Sequence, residues 1–346
     1  MKKRIWIFAL CALLCALLAL YSGPALAAAR EGFYLWRDSV FPALLPFFVC
    51  AHIMQNCGAV RGGNRFALYG LSMVSGAPSG ARLAGMAGKD TTDTVAALNV
   101  VSPMFIAGSF AGNLLGCPLL AWPILFAQFS SAALFLILSK DYAEQEAPPL
   151  PADEAPSFLR LMSDAVTSGV ASLLAVGGTI MVFMALKALL DETGVFSLLL
   201  SPISTVFIKI GLSADFPSIL FSGMLEMVQG CRDLAVAGLG MRQSAAIGAF
   251  FFSFGGICIL AQSLAFARLR AGRYLWRKLL QGCLAALLTY LLVPLFLPNS
   301  QTVFSSLSPD ALAQNALSAA LTAGISLVGV SVVLLFAAAA GRKRIS

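Results

Sequence analysis

The chain has 346 residues, 59% hydrophobic and only 11% charged, with a formal net charge of +7. A soluble domain carries roughly 25% charged residues, so this composition cannot build a water-facing exterior. The mean hydropathy of +0.87 makes lipid the surrounding solvent. In lipid the backbone must satisfy its own hydrogen bonds, which leaves helices or a closed barrel. The apolar runs are about 20 residues long and lack strict alternation, which selects helices. The basic residues cluster at the ends of these runs, so the positive charge reads as membrane topology and not as a nucleic-acid footprint.

In chain order, Lys2, Lys3 and Arg4 precede an apolar stretch from Ile5 to Leu20. Ala25-Leu26-Ala27 then has the small-x-small form of a signal-peptidase site. A retained first helix and a cleaved leader are both compatible with this segment, and the former is preferred. Apolar segments follow near 39–59, 94–115, 118–139, 165–190, 244–266, 278–297 and 316–340. Two further segments, 66–88 and 217–240, are apolar but rich in glycine, with Pro78 in the first. Such segments disfavour a straight spanning helix and predict re-entrant hairpins or unwound helices. The polar stretch 140–164, with Pro148, Pro149, Pro151 and Pro156, reads as a solvated linker between halves.

The predicted fold is an all-α integral membrane protein of about eight transmembrane helices plus two re-entrant hairpins in an inverted repeat. Residues 1–38 form a signal-like helix and loop, and 39–139 the first repeat. Residues 140–164 are the linker, 165–297 the second repeat, and 298–346 a loop and final helix. Each repeat runs helix, glycine-broken segment, two helices. Ser79-Gly80-Ala81-Arg82-Leu83-Ala84 parallels Gln229-Gly230-Cys231-Arg232-Asp233-Leu234. With re-entrant segments, eight spans place every basic cluster in the cytoplasm, including Arg268, Arg270, Arg273, Arg277 and Lys278. Inverted repeats with broken helices are the layout of secondary transporters.

The polar residues inside apolar segments are the candidate substrate-binding groups. Arg82, in Ser75-Gly76-Ala77-Pro78-Ser79-Gly80-Ala81-Arg82, is costly at mid-bilayer and faces a partner, a cavity or the interface. Gly80, Ser75 and Ser79 allow backbone N–H groups to meet an anion there. Arg232 sits beside Asp233 and near Glu226, where an internal ion pair competes with ligand binding. Glu226 and Gln229 can read a coupling cation or a polar substrate edge. Asn99, Ser102 and Pro103 interrupt 94–115, where a kink with local satisfaction competes with ligand contact. Lys187 reads as a snorkelling residue.

The eight cysteines form no CxxC pair and read as small packing residues. His52 stands alone, so no metal site or Ser–His relay is expected. There is no HExxH, GxSxG, P-loop or Rossmann fingerprint, so no enzymatic activity and no cofactor are expected.

Phe41-Pro42-Ala43-Leu44-Leu45-Pro46-Phe47-Phe48, Ser75 to Leu83, Asn99-Val100-Val101-Ser102-Pro103-Met104-Phe105 and Leu225-Glu226-Met227-Val228-Gln229-Gly230-Cys231 resemble the sporulation integral membrane protein YlbJ family. The resemblance covers about residues 33–297. It departs from the family pattern at Ala77 and Ser79. It implies a nucleoside-recognition, or Gate, domain and two inverted repeats with hairpins. It also implies a bacterial membrane location, at the outer forespore membrane, and movement of dipicolinic acid during endospore formation. The partners expected on this reading are a small-molecule anion and membrane lipid, with no nucleic acid; a homo-oligomer is compatible. Dipicolinate is a flat dianion, which the guanidinium groups of Arg82 and Arg232 would suit. A nucleoside or other small solute, and a non-transporting scaffold for spore maturation, are the alternatives.

Overall fold

A computed structural model describes residues 2–56, 65–85, 90–141, 157–209 and 215–297. The described residues are helical almost throughout, with no strand among them. Five helical stretches are long and apolar enough to cross a membrane: Ser22–Met54, Pro118–Ile137, Phe158–Glu192, Met241–Leu264 and Ala271–Phe296. Large apolar side chains such as Leu174, Leu291 and Leu295 are exposed on them, as lipid-facing residues are. The molecule is therefore an all-α integral membrane protein. The expected helix at 316–340 lies outside the described residues.

Helix α1 is Lys2–Leu20, α2 is Ser22–Leu35, and α3 is Phe41–Asn56. A π-helical turn at Trp36–Val40 joins α2 to α3 without a break. The spanning stretch thus starts near Ser22, and the loop expected within residues 1–38 is helix. Composition hid this because Gly23, Pro24, Arg30 and Glu31 dilute the apolar run. Helix α8, Phe158–Glu192, starts before the expected 165. Ser157 caps it by accepting from the Arg160 amide at 3.4 Å, so residues 157–164 belong to the helix and not to the linker. Trp36 donates its indole N–H to the Leu173 carbonyl at 2.9 Å. Its ring lies where a Cβ on Gly177 would fall, which fixes α2 closely against α8.

The glycine-rich segments are broken helices. Helix α4 (Arg65–Ser75) and α5 (Ser79–Gly85) meet at Gly76, whose φ is +74°. Helix α6 (Thr92–Leu98) ends at Asn99, and a π-helix resumes at Phe105–Leu114. Pro103 stands at the start of the resumed helix, where its missing N–H removes no bond; it does not kink a continuous one. Helix α7 (Ala121–Ile137) closes the first half.

In the second half, α9 (Val195–Lys209) is an apolar helix that composition did not single out. Helix α10 (Phe216–Leu225) and α11 (Met227–Val236) meet at Glu226, whose backbone is extended. Helix α12 (Met241–Phe254) and α13 (Gly256–Leu264) meet at Gly255 and Gly256, both at positive φ. Helix α14, Ala271–Phe296, ends the described chain.

The turn at Glu226 folds its arms back on each other. The Ser222 hydroxyl reaches the Asp233 carboxylate at 2.5 Å, although a continuous helix would separate these positions by about 16 Å. A Cβ on Gly230 would run into the Gly223 backbone. Glycine at both positions lets the arms touch. At roughly 15 Å each, neither arm alone could cross a bilayer.

The two halves contact each other reciprocally. Helix α5 touches α13, and α11 touches the π-helix 105–114; α7 touches α12, and α14 touches α6. At one end, Asp90 pairs with Arg270, and Asp93 with Arg273 and Arg277. Asp141 accepts from the Asp93 and Thr94 amides at 2.5 and 3.1 Å, capping α6. These three arginines of the 268–278 cluster are ion-paired. Lys278 does not belong with them: it is fully buried.

Candidate functional site

The breaks of both halves converge on one place. The Ala77 amide donates to the Val100 carbonyl at 2.7 Å, tying the break after α4 to the break after α6. A Cβ on Gly76 would sit 3.1 Å from Ser102. In the second half, the Cys258 thiol lies 3.6 Å from Glu226 Oε1. A Cβ on Gly256 would be 3.2 Å from the Leu225 carbonyl. A small chamber of about 50 Å³ lies between them, lined by Gly76, Ala77, Ser102, Glu226, Cys258 and Gln262, among others. It adjoins, through Val176 and Gln262, a larger cavity of about 250 Å³.

The larger cavity has one charged wall and one hydroxyl wall. Arg82 projects from α5 and donates from Nη1 to the Ser168 hydroxyl at 3.0 Å. Ser168, Ser172 and Thr179 face it from α8, with His52 from α3 and Gln262 from α13. Ser75 and Ser79 line it as well. Their hydroxyls lie 2.5 Å apart, and Ser79 also donates to the Gly76 carbonyl. Among the described residues no carboxylate pairs with Arg82. Its guanidinium is held by a neutral hydroxyl, so its charge remains uncompensated at the cavity.

The sequence-expected amide cradle around Arg82 is already in use. The Gly76 amide donates to Ser72, Ala77 to Val100, Ser79 to Gly76 and Arg82 to Pro78, and the Ala81 amide donates to Asn99 Oδ1 at 3.1 Å. Hydroxyls and the guanidinium face the cavity; these amides do not. Gly80 is a close-approach glycine: a Cβ there would lie 2.6 Å from the Leu98 carbonyl carbon.

Arg232 does not join Arg82. It pairs with Glu31 of α2 at 2.5 Å, both side chains being substantially exposed, and it lines neither chamber. The local pairing with Asp233 is also absent, because Asp233 accepts from Ser222 and from Gln229 Nε2 at 2.7 Å. Gln229 is thereby held within α11, and Glu226 caps that helix by accepting from the Gln229 amide at 2.7 Å. Of this group, Glu226 reaches the central chamber.

Asn99 is a structural junction. Besides Ala81, its side-chain amide donates to the Ser263 hydroxyl at 2.8 Å and to the Tyr274 hydroxyl at 2.9 Å. It thus joins α5, α13 and α14. The free carbonyls of the break are all accounted for, as burial away from water demands. Leu98 accepts from the Val100 amide and Ser102 from the Ile106 amide. Val100 accepts from Ala77, Val101 from Gln128 Nε2 at 2.9 Å, and Asn99 from Lys278 Nζ at 2.7 Å. Gln128 also receives the Val101 amide at 3.4 Å. Sequence reasoning missed Gln128, Tyr274, Gln262 and Lys278. A signal existed for the hydroxyl wall, since Ser168, Ser172 and Thr179 recur at helical spacing along an apolar run. Lys187 pairs with Asp191 one turn away.

Against known proteins, the chain is 27% identical over 317 aligned residues to the sporulation integral membrane protein YlbJ of Bacillus subtilis (strain 168), covering 77% of this chain and 76% of that protein. The motif resemblance to the YlbJ family and this relative agree. No protein-family profile matches the chain, and no solved structure matches it.

Proposed function

We propose that this chain is a sporulation-linked permease of the bacterial envelope that moves a small planar anion, with dipicolinate as the leading candidate. The observation that carries the reading is the uncompensated Arg82 in a cavity that adjoins the chamber where helix breaks from both halves meet. Broken helices at a repeat interface are where secondary transporters hold their substrates. A guanidinium can take one carboxylate edge by two parallel hydrogen bonds. Ser168, which accepts from Arg82, can donate its own O–H to a further oxygen, whereas Ser75, Ser172 and Thr179 donate theirs to the Leu71, Ser168 and Ala175 carbonyls and would have to release them first. The small central chamber beside Glu226 is the route onward.

In this reading the segments 65–85 and 216–236 are re-entrant, the repeats are inverted as in a Gate domain, and the location is the outer forespore membrane. The relative's name supports the sporulation setting. One guanidinium, in place of the two expected, lowers the charge the site can neutralise. A monoanion, or a dianion bound through one carboxylate, suits it best.

The test is flux into proteoliposomes containing the full chain, with dipicolinate and a panel of monocarboxylates, dicarboxylates and nucleosides, paired with the dipicolinate content of null-mutant spores. Flux of dipicolinate that Arg82→Ala abolishes is the expected result. Competition by nucleosides alone would favour a neutral polar solute, to which Gln262 and the hydroxyl wall are also suited. Absence of flux for every solute, with normal spore dipicolinate, would leave a membrane scaffold.

A further inference from the structure

Lys278 is fully buried, seven residues into α14. A lysine inside a membrane costs roughly 2.5–3.5 kcal/mol on insertion scales and marks a functional position when it cannot reach the interface. No carboxylate pairs with it among the described residues. Its ammonium donates to the Asn99 carbonyl at 2.7 Å, at the point where α6 unwinds. That carbonyl is the negative end of a short helix dipole.

In transporters built from broken helices, unwound backbone carbonyls at helix C-termini coordinate the coupling cation. In the first half of this chain the corresponding carbonyls are occupied by the protein itself: Val100 by an amide, Val101 by Gln128, and Asn99 by a primary ammonium. We infer that Lys278 is a tethered cation, filling the position that a free Na⁺ would take at the unwound end of α6, so that the cycle runs without a Na⁺ gradient. This rests on the permease reading for its meaning in transport, but the occupancy can be tested without any substrate.

The experiment compares the thermal midpoint of the detergent-purified full chain in NaCl and in choline chloride at equal ionic strength. The wild-type protein should show less than about 1 °C of difference. Lys278→Ala, which vacates the position, should gain about 2 °C or more in NaCl, the shift of a site at roughly ten times its Kd. Lys278→Arg should remain insensitive. Specific stabilisation of the wild type by Na⁺ would overturn the inference without any variant being needed. So would a Lys278→Ala protein that folds but ignores Na⁺, or one that cannot be recovered in either salt. Recovery in NaCl but not in choline would support it. In proteoliposomes, wild-type flux should persist when choline replaces Na⁺. Na⁺-dependent flux overturns the tethered cation and keeps the permease; no flux of any solute removes the permease and leaves the stability result standing.

Discussion

The side chain of Asn99 offers the sharpest separation between a structural and a ligand-binding role. Asn99→Ala removes one acceptor and two donors at a site 1% exposed. The Ser263 hydroxyl keeps a partner, because it also donates to the Ile259 carbonyl at 2.6 Å. The Tyr274 hydroxyl loses one bond and can reorient. Interhelical side-chain bonds in membranes average only about 0.6 kcal/mol, because the unfolded reference also finds partners. These two bonds together then contribute about 1 kcal/mol. The Ala81 amide loses the Asn99 oxygen but keeps the Pro78 carbonyl at 3.0 Å, so this third bond adds only about 0.5–1 kcal/mol. The expected loss is therefore about 1.5–2 kcal/mol, spread over three bonds. Denaturant or thermal unfolding of the purified chain in detergent measures it, with Asn56→Ala as the control. Asn56 is exposed and, among the described residues, bonds the His52 carbonyl of its own helix, so its loss should stay within roughly 0.5 kcal/mol. An Asn99→Ala protein as stable as that control, with impaired solute binding, would refute the junction and restore Asn99 to the binding site.

Arg82 and Arg232 should separate cleanly. Arg82→Ala should abolish anion binding measured by scintillation proximity or flux, with little change in unfolding midpoint. Arg232→Ala should leave binding intact and cost at most about 1 kcal/mol, since its partner Glu31 is half exposed. Gly80→Ala should destabilise by roughly 1–3 kcal/mol, because its methyl would press on Leu98 backbone that cannot rotate away. Asp90, in the connection ahead of α6 and outside the spanning helices, has its carboxyl held below the ordinary range by the Thr92 hydroxyl bond, with Arg270 and Arg273 adding to it. Its stabilisation is present above the unfolded value near 4 and is lost as pH falls through the lower folded value. Asp90→Asn should lower stability slightly at neutral pH and leave it unchanged at low pH, which flattens the acid side of a stability-versus-pH profile.

Much of the fold was legible in the residues because its causes are local. Apolar runs of membrane length specify helices whatever surrounds them, and glycine with proline marks where they break. Gly76 and Glu226 both lie inside the glycine-rich segments 66–88 and 217–240 that composition marks as broken. The helix at 22–35 was obscured because its polar residues meet partners elsewhere: Glu31 needs Arg232, and Trp36 needs Leu173.

The site was legible only in part. Composition alone placed Arg82, Ser75 and Ser79 in a broken segment, and that was enough to bring them to the cavity. Whether a second arginine joins them, whether Asn99 binds solute or backbone, and whether Lys278 sits in water or in the core depend on contacts across 150 or more residues. A one-dimensional pattern records how often a side chain recurs along its own helix. Which carbonyl a broken helix leaves unpaired, and which distant donor reaches it, is decided only when the helices pack.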